Sequence, residues 1–332
     1  MSTNTAPSQS TGSPTHGSRF TVISIGDLVA DLVVTIPRLP VEANAHQLAR
    51  QVRLEPGGAG NFLIAGRRLG MNMLALGTIG DDPFGTAVLE ALRGEGVEIA
   101  PVLRQAGASS TTVIVLVDDA GGHVFLGGYG VGPPVALPEE WVNLLKSAQA
   151  VFASGYTFQE KRLAEAALQA MEVSHRSGVP VFFDPGPEMA DATPELVAAI
   201  LATSNALLLT EEEIPLMTGG VAGISAARHL LELGPRLVCV KRGAQGCLVL
   251  TTDQIVEHPG FRVQARDTTA AGDSFAAAFI YACLRGWPLS QTATFANAMG
   301  AAKVQKVGSG SQVPSSEELR LLLRDFQIEI DF

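Results

Sequence analysis

From Phe20 onward, short and continuously apolar runs alternate with longer stretches of helical period, and this alternation limits the fold more than any other feature of the chain. The runs cover residues 20–25, 73–79, 113–117, 150–153, 179–183, 206–209, 237–240 and 247–250. A strand that is apolar at every position is buried on both faces, as when helices cover both sides of a parallel sheet. Between the runs, residues 83–94 place Phe84, Val88, Leu89 and Leu92 on one helical face behind a proline at the first position. Residues 160–177, 222–233, 274–285 and 289–304 show the same period. The order predicts an α/β fold with a doubly wound, mostly parallel sheet.

Two stretches, 32–54 and 111–126, break the alternation. They lack helical period and carry β-branched residues, with Asp118-Asp119-Ala120-Gly121-Gly122 as a hairpin turn between 113–117 and 123–126. Together they predict a small β lid standing off an α/β domain built from 19–31, 55–110 and 127–328, with 127–132 as a hinge. Residues 1–18, rich in Ser, Thr, Pro and Gly, read as a disordered tail without the apolar core of a secretory signal.

Charge and composition restrict the partners. Acidic residues outnumber basic ones 33 to 23 across 332 residues, with no long Lys/Arg run, which argues against a nucleic-acid partner. No apolar run reaches the roughly 18 residues of a membrane span. The cysteines, Cys239, Cys247 and Cys283, are odd in number and scattered, unlike a disulfide framework, and the six histidines show no zinc-ligand spacing. These features predict a cytoplasmic protein acting on small molecules.

The chemistry concentrates in Arg266-Asp267-Thr268-Thr269-Ala270-Ala271-Gly272-Asp273-Ser274-Phe275. A turn of small residues opening a helix offers unpaired N–H groups at the positive end of the helix dipole, suited to phosphate oxygens. Asp273 at the junction is placed to take a proton from an attacking hydroxyl while the Ala271 and Gly272 amides neutralise a transferring phosphoryl group. The alternative is that Asp273 only caps the helix. No Gly-x-x-x-x-Gly-Lys-Ser/Thr motif is present, so an ordinary P-loop is excluded.

The segment Asp-Thr-Thr-Ala-Ala-Gly-Asp-Ser-Phe resembles the C-terminal signature of the ribokinase-like, or PfkB, carbohydrate kinases. Gly57-Gly58-Ala59-Gly60-Asn61, continuing through Arg68-Leu69-Gly70 to Gly77-Thr78-Ile79-Gly80-Asp81-Asp82-Pro83-Phe84-Gly85, resembles the N-terminal one. The likeness spans about Phe20 to Leu323 and implies a Rossmann-like domain with a small β lid, between which a sugar or similar alcohol receives the γ-phosphoryl group of ATP. By this resemblance Asp273 is the catalytic base, and Ala270, Ala271 and Gly272 form the anion hole. Asp31, Gly57, Gly58 and Asn61 match acceptor-contacting positions. Lys241, Gly243, Gly246, Thr268 and Asn297 match the nucleotide side. Glu213 matches the acid that holds hydrated Mg²⁺. Asp267, Thr269 and the backbone near Gly308 resemble a K⁺ loop.

The chain also departs from the family pattern. Residues 57–70 run one residue short, which puts the role of Asn61 in question, and Thr210 replaces the Asn of an Asn-x-x-Glu motif ending at Glu213. Glu211, Glu212 and Glu213 fit equally a solvated first helical turn, Lys241-Arg242 fits simple surface charge, and Asp31 fits a surface acid at a strand end. Asp184 is a second candidate at the end of its strand, with Gly186 and Glu188 in place of the usual Asn and Arg. The expected activity is ATP- and Mg²⁺-dependent phosphorylation of a sugar or sugar-like alcohol. A nucleoside kinase of the same fold and a non-catalytic sugar-binding regulator are the alternatives. Pairing of two lids predicts a homodimer.

Overall fold

Successive side chains of a strand point to opposite faces, and in the central strands both faces are apolar. In a computed structural model describing residues 20–332 except 45 and 160, Ile23, Leu207, Val238 and Leu248 enter one core layer, whereas Val22, Leu208, Cys239 and Val249 enter the other. The tail expected over residues 1–18 lies outside the described residues. The strands are β1 (Thr21–Ile25), β2 (Leu28–Ile36), β3 (Gln51–Gly58), β4 (Asn72–Leu76), β5 (Thr78–Gly80), β6 (Leu103–Gln105), β7 (Thr112–Asp118), β8 (His123–Gly128), β9 (Ala150–Ser154), β10 (Val181–Asp184), β11 (Ala206–Thr210), β12 (Leu237–Lys241), β13 (Cys247–Leu250) and β14 (Ile255–His258). The large sheet has the order β14, β13, β12, β11, β10, β9, β1, β4. It is parallel from β12 to β4, and β13 and β14 close it antiparallel.

Helices Ala59–Arg68, Ala271–Leu284 and Leu289–Val304 cover one face. Helices Glu139–Ser147, Ala164–Arg176 and Pro194–Thr203 cover the other. The helix after β1 and its β2–β3 excursion lies on one side of the sheet and the helix after β9 on the opposite side, so a crevice opens beyond the carboxyl ends of β1 and β9. This is the topological switch point, where doubly wound sheets bind ligands.

Helices form over 83–94 and 289–304 as the period predicts. The run 73–79 is not one strand. A Cβ on Gly77 would stand 2.1 Å from Gly26 O, so the chain breaks at this close approach, and β5 leaves the main sheet to pair with β6. β14 escapes the apolar pattern because an edge strand with alternating exposure lacks a continuous apolar run. The helix expected over 160–177 starts at Ala164, and the one over 222–233 shortens to Ile224–His229 with a 3₁₀ turn at Leu230–Glu232.

β3, β2, β7 and β8 form the small separate sheet, and its ladder reaches back to Leu28 and Gly58. Val33, Val115 and Val117 pack on its covered face. Residues 127–132, expected as a hinge, are tied down: Ser109 N donates to Val131 O at 3.0 Å, Gly130 N donates to Thr111 Oγ1 at 2.9 Å, and a Cβ on Gly130 would strike Ser109 O at 2.2 Å.

Candidate active site

Asp27 follows β1, Asp184 ends β10, Thr210 ends β11 and Lys241 ends β12, so the switch-point crevice is lined by groups delivered at strand ends. The helix Ala271–Leu284 enters from the side. Its N-cap is Ala270, in the left-handed region (φ 61°, ψ 10°), and no side chain caps it. Asp273 in the first turn is therefore free of the capping role, and the capping alternative falls. A left-handed Ala costs about 1–2 kcal/mol, and the turn is held by Asp267. Its Oδ1 accepts from Thr269 N at 2.9 Å and Thr269 Oγ1 at 2.7 Å, and its Oδ2 accepts from Gly308 N at 2.6 Å.

Burial, and after it the charge of Asp184, pushes the Asp273 carboxyl up to about 7, against the pull of the facing Asn61 side chain and of Lys241. Asp31, on β2, is buried. It is no surface acid, and burial with help from Glu55 pushes it up to about 6. A Cβ on Gly57 would lie 2.1 Å from Asp31 Oδ1, so the glycine is what lets this carboxylate lie against the β3 backbone. Gly58, with φ 49°, turns β3 into the helix Ala59–Arg68. Asn61 is buried, and its Oδ1 accepts from Gly310 N at 2.8 Å. The shortened 57–70 segment thus sets Asn61 between Asp273 and the 308–310 loop.

On the opposite side, Lys241 Nζ donates to Asp184 Oδ2 at 2.5 Å, with both side chains 13% exposed. It also lies 3.8 Å from the place a Gly272 Cβ would occupy. Lys241 is an ion-paired cation beside the turn, not surface charge. Although its burial disfavours the ammonium, Asp184 and Glu213 raise its pKa. Glu213 is buried and accepts from Thr210 N at 2.8 Å, and burial followed by the Asp184 charge pushes its carboxyl up. Glu211 and Glu212 are exposed, so the solvated-turn reading holds for them alone.

Ala271 N already donates to Thr268 O at 3.1 Å. The first-turn amides of Gly272 and Asp273 are those a helix leaves without intrahelical acceptors. Thr268 is exposed at the mouth. Gly243 opens the turn after β12 with nothing within 4 Å of the place a Cβ would occupy, whereas a Cβ on Gly246 would strike His258 O at 1.9 Å, so Gly246 answers to packing against β14. Asn297 lies one layer back, its amide donating to Cys247 Sγ at 3.0 Å and Ala293 O at 2.7 Å.

Two groups have no sequence signal. Tyr156, just past β9, stands against Gly186, and burial with the charges of Glu188 and Asp273 raises its phenol. Lys303 is fully buried near the Asp267 turn, where helical period alone would place an apolar side chain.

The match to the pfkB family carbohydrate kinase model runs over residues 19–316. The chain belongs to this family. It is 29% identical to a mouse (Mus musculus) ribokinase over 314 residues, covering 91% of this chain and 94% of that protein. It is 25% identical to a nucleoside kinase of Methanothermobacter thermautotrophicus over 299 residues, covering 90% and 93%. The structure of Arabidopsis thaliana ribokinase complexed with ribose and ATP superposes with a TM-score of 0.79 at 24% identity, covering 92% of this chain and 99% of that one. The family membership makes the chain a carbohydrate kinase, and the superposition carries the fold.

Proposed function

We propose that the protein transfers the γ-phosphoryl group of ATP to a hydroxyl of a sugar or nucleoside lying against Asp31, Gly57 and Gly58. One observation carries this reading: Asp273, in the first turn of the helix Ala271–Leu284, caps nothing and faces Asn61 and Asp31 as well as Lys241 and Asp184, while burial pushes its carboxyl up to about 7. The acceptor hydroxyl gives its proton to an Asp273 carboxylate oxygen as its own oxygen attacks the γ-phosphorus, and ADP departs. The Gly272 and Asp273 amides, with Lys241 beside them, offset charge on the equatorial phosphoryl oxygens. Ala270 shapes the turn that presents them, and Asn61 orients the base. Gly243 leaves room for the nucleotide next to Lys241 and Thr268.

Glu213 and Asp184 supply the hard oxygen donors that Mg²⁺ prefers. Because Lys241 engages Asp184 and Thr210 N engages Glu213, the carboxylates suit a hydrated ion held through its waters. Bound there with ATP, Mg²⁺ would neutralise phosphate charge.

Asp31 and the glycine backbone suit neutral, vicinal hydroxyls. ADP release measured over pentoses, hexoses, sugar acids and nucleosides tests the reading. Turnover on one member that drops about 10²–10⁴-fold in Asp273→Asn, with ATP affinity kept, supports it. Unchanged turnover in the folded variant removes Asp273 from its role, and no turnover on any member favours a non-catalytic binder.

A further inference from the structure

Glu55 lies directly opposite Asp31 in the β2–β3 ladder, and both are buried, at 8% and 6% exposure. Like charges facing each other across a ladder weaken it, and a buried carboxylate is unfavourable unless donors reach it. The small sheet itself therefore gives Glu55 no reason to be acidic. The donors come from a distant part of the chain: Oε2 accepts from Ser311 N at 2.9 Å and Oε1 from Ser311 Oγ at 2.7 Å.

Residues 307–311 are bonded on two flanks. Towards β3, Glu55 holds Ser311, and Arg53 Nη2 donates to Val307 O at 2.9 Å. Towards the helix Ala271–Leu284, Gly308 N donates to Asp267 Oδ2 at 2.6 Å, and the same carboxylate holds Thr269 through Oδ1. A Cβ on Gly310 would meet Glu55 Oε2 at 2.7 Å and Pro56 Cδ at 2.9 Å, and its φ is 55°, so only a glycine admits this approach. Asp31, Gly57 and Gly58 belong to the small sheet, whereas Gly272 and Asp273 ride on a helix packed against the large one. Residues 307–311 bridge the two by hydrogen bonds.

We propose that Glu55 is a positioning residue: by holding Ser311 it registers the acceptor strands β2 and β3 against the turn that presents Gly272 and Asp273. In-line transfer depends on that spacing, since a displacement of about 1 Å costs about 10²-fold in rate. The inference rests on the kinase reading for its kinetic arm, and its exchange arm stands without it.

The test reads amide hydrogen exchange and steady-state kinetics together in Glu55→Ala, Glu55→Gln and Ser311→Ala. Glu55→Ala is expected to speed exchange of the Asp267, Thr269, Ala271 and Gly308 amides, and to lower kcat by on the order of tenfold with the KM for ATP kept. Glu55→Gln retains an oxygen for Ser311 N and an amide that donates to Ser311 Oγ, so it should restore both readouts. A folded Glu55→Ala variant whose exchange changes only within β2 and β3, or whose kcat is that of the wild type, overturns the proposal. A Glu55→Gln variant as impaired as Glu55→Ala overturns it as well, because charge and not the bonds would then matter. If Glu55→Ala does not fold, Ser311→Ala decides by the same exchange readout, and unchanged exchange over residues 267–272 is the contrary result. A wild type inactive on every acceptor counts against the kinase reading, and the exchange arm then decides the Glu55 assignment alone.

Discussion

A carboxyl held near 7 behaves differently on the two sides of neutrality. For Asp273 the folded pKa of about 7 lies above the ordinary 3.8. Between these values the folded chain keeps a proton that the unfolded chain releases, so stability falls as pH rises through this window and is level above it. Asp31, raised to about 6, adds a contribution of the same sign. Asp273→Asn lacks that loss, and its thermal midpoint should gain on wild type from about pH 4 to about pH 7 and no further. Calorimetry across this range checks it, and a constant gap between the two proteins would contradict the assignment. The same group should give kcat/KM an acidic limb near pH 7, since the base acts as its carboxylate. Lys241→Met should be costly in another way, because Asp184, mostly shielded from solvent, is left without its partner. Loss of one member of such a pair costs about 3–5 kcal/mol, to be read from urea unfolding, and the KM for ATP should rise with it.

Elements carry these residues to the site, and some of them follow from local pattern alone. The helix Ser316–Asp325 opens with a capping box in which Ser315 and Glu318 bond reciprocally. Ser315→Ala should therefore cost about 1 kcal/mol of stability and leave KM values unchanged. Gly57→Ala should do the reverse. Its Cβ would displace the Asp31 carboxylate, so steady-state kinetics should show a higher KM for acceptor with the KM for ATP kept, and an unaltered acceptor KM would separate Asp31 from binding. Continuous apolar runs announced β1, β9, β11 and β12, because both sheet faces are covered there. The break at Gly77 had no such announcement, since it arises from a contact with Gly26 at the end of the neighbouring strand β1, and β14 had none because it lies at the edge.

At the scale of the whole molecule, the small sheet shows two apolar rows on one face. Leu54, Leu32, Ile114 and Leu126 are cross-strand neighbours, as are Val52, Val34, Leu116 and Val124, and Val52, Leu54, Ile114, Val124 and Leu126 are exposed. A contiguous apolar patch of this kind marks an interaction surface, and self-pairing would cover it. We expect a homodimer through this face. Light scattering should give a dimer mass for wild type and a monomer for Ile114→Glu, and a wild-type monomer with full activity would refute the expectation. The covered face of the small sheet should also gain hydrogen-exchange protection when acceptor binds, if the sheet closes as a lid. Among the described residues no helix is long and apolar enough to cross a membrane. The chain by itself determined the layered α/β architecture, the strand ends where ligands gather and the turn around Asp273, because periodicity, turn chemistry and signature motifs are properties of neighbours in sequence. Only the tertiary structure decided that Ile114 and not Val115 faces outward, that Lys241 is locked to Asp184, that burial pushes the Asp273 carboxyl up and that Lys303 is buried. Burial and charge act through space, and the groups that set them here come from segments far apart along the chain.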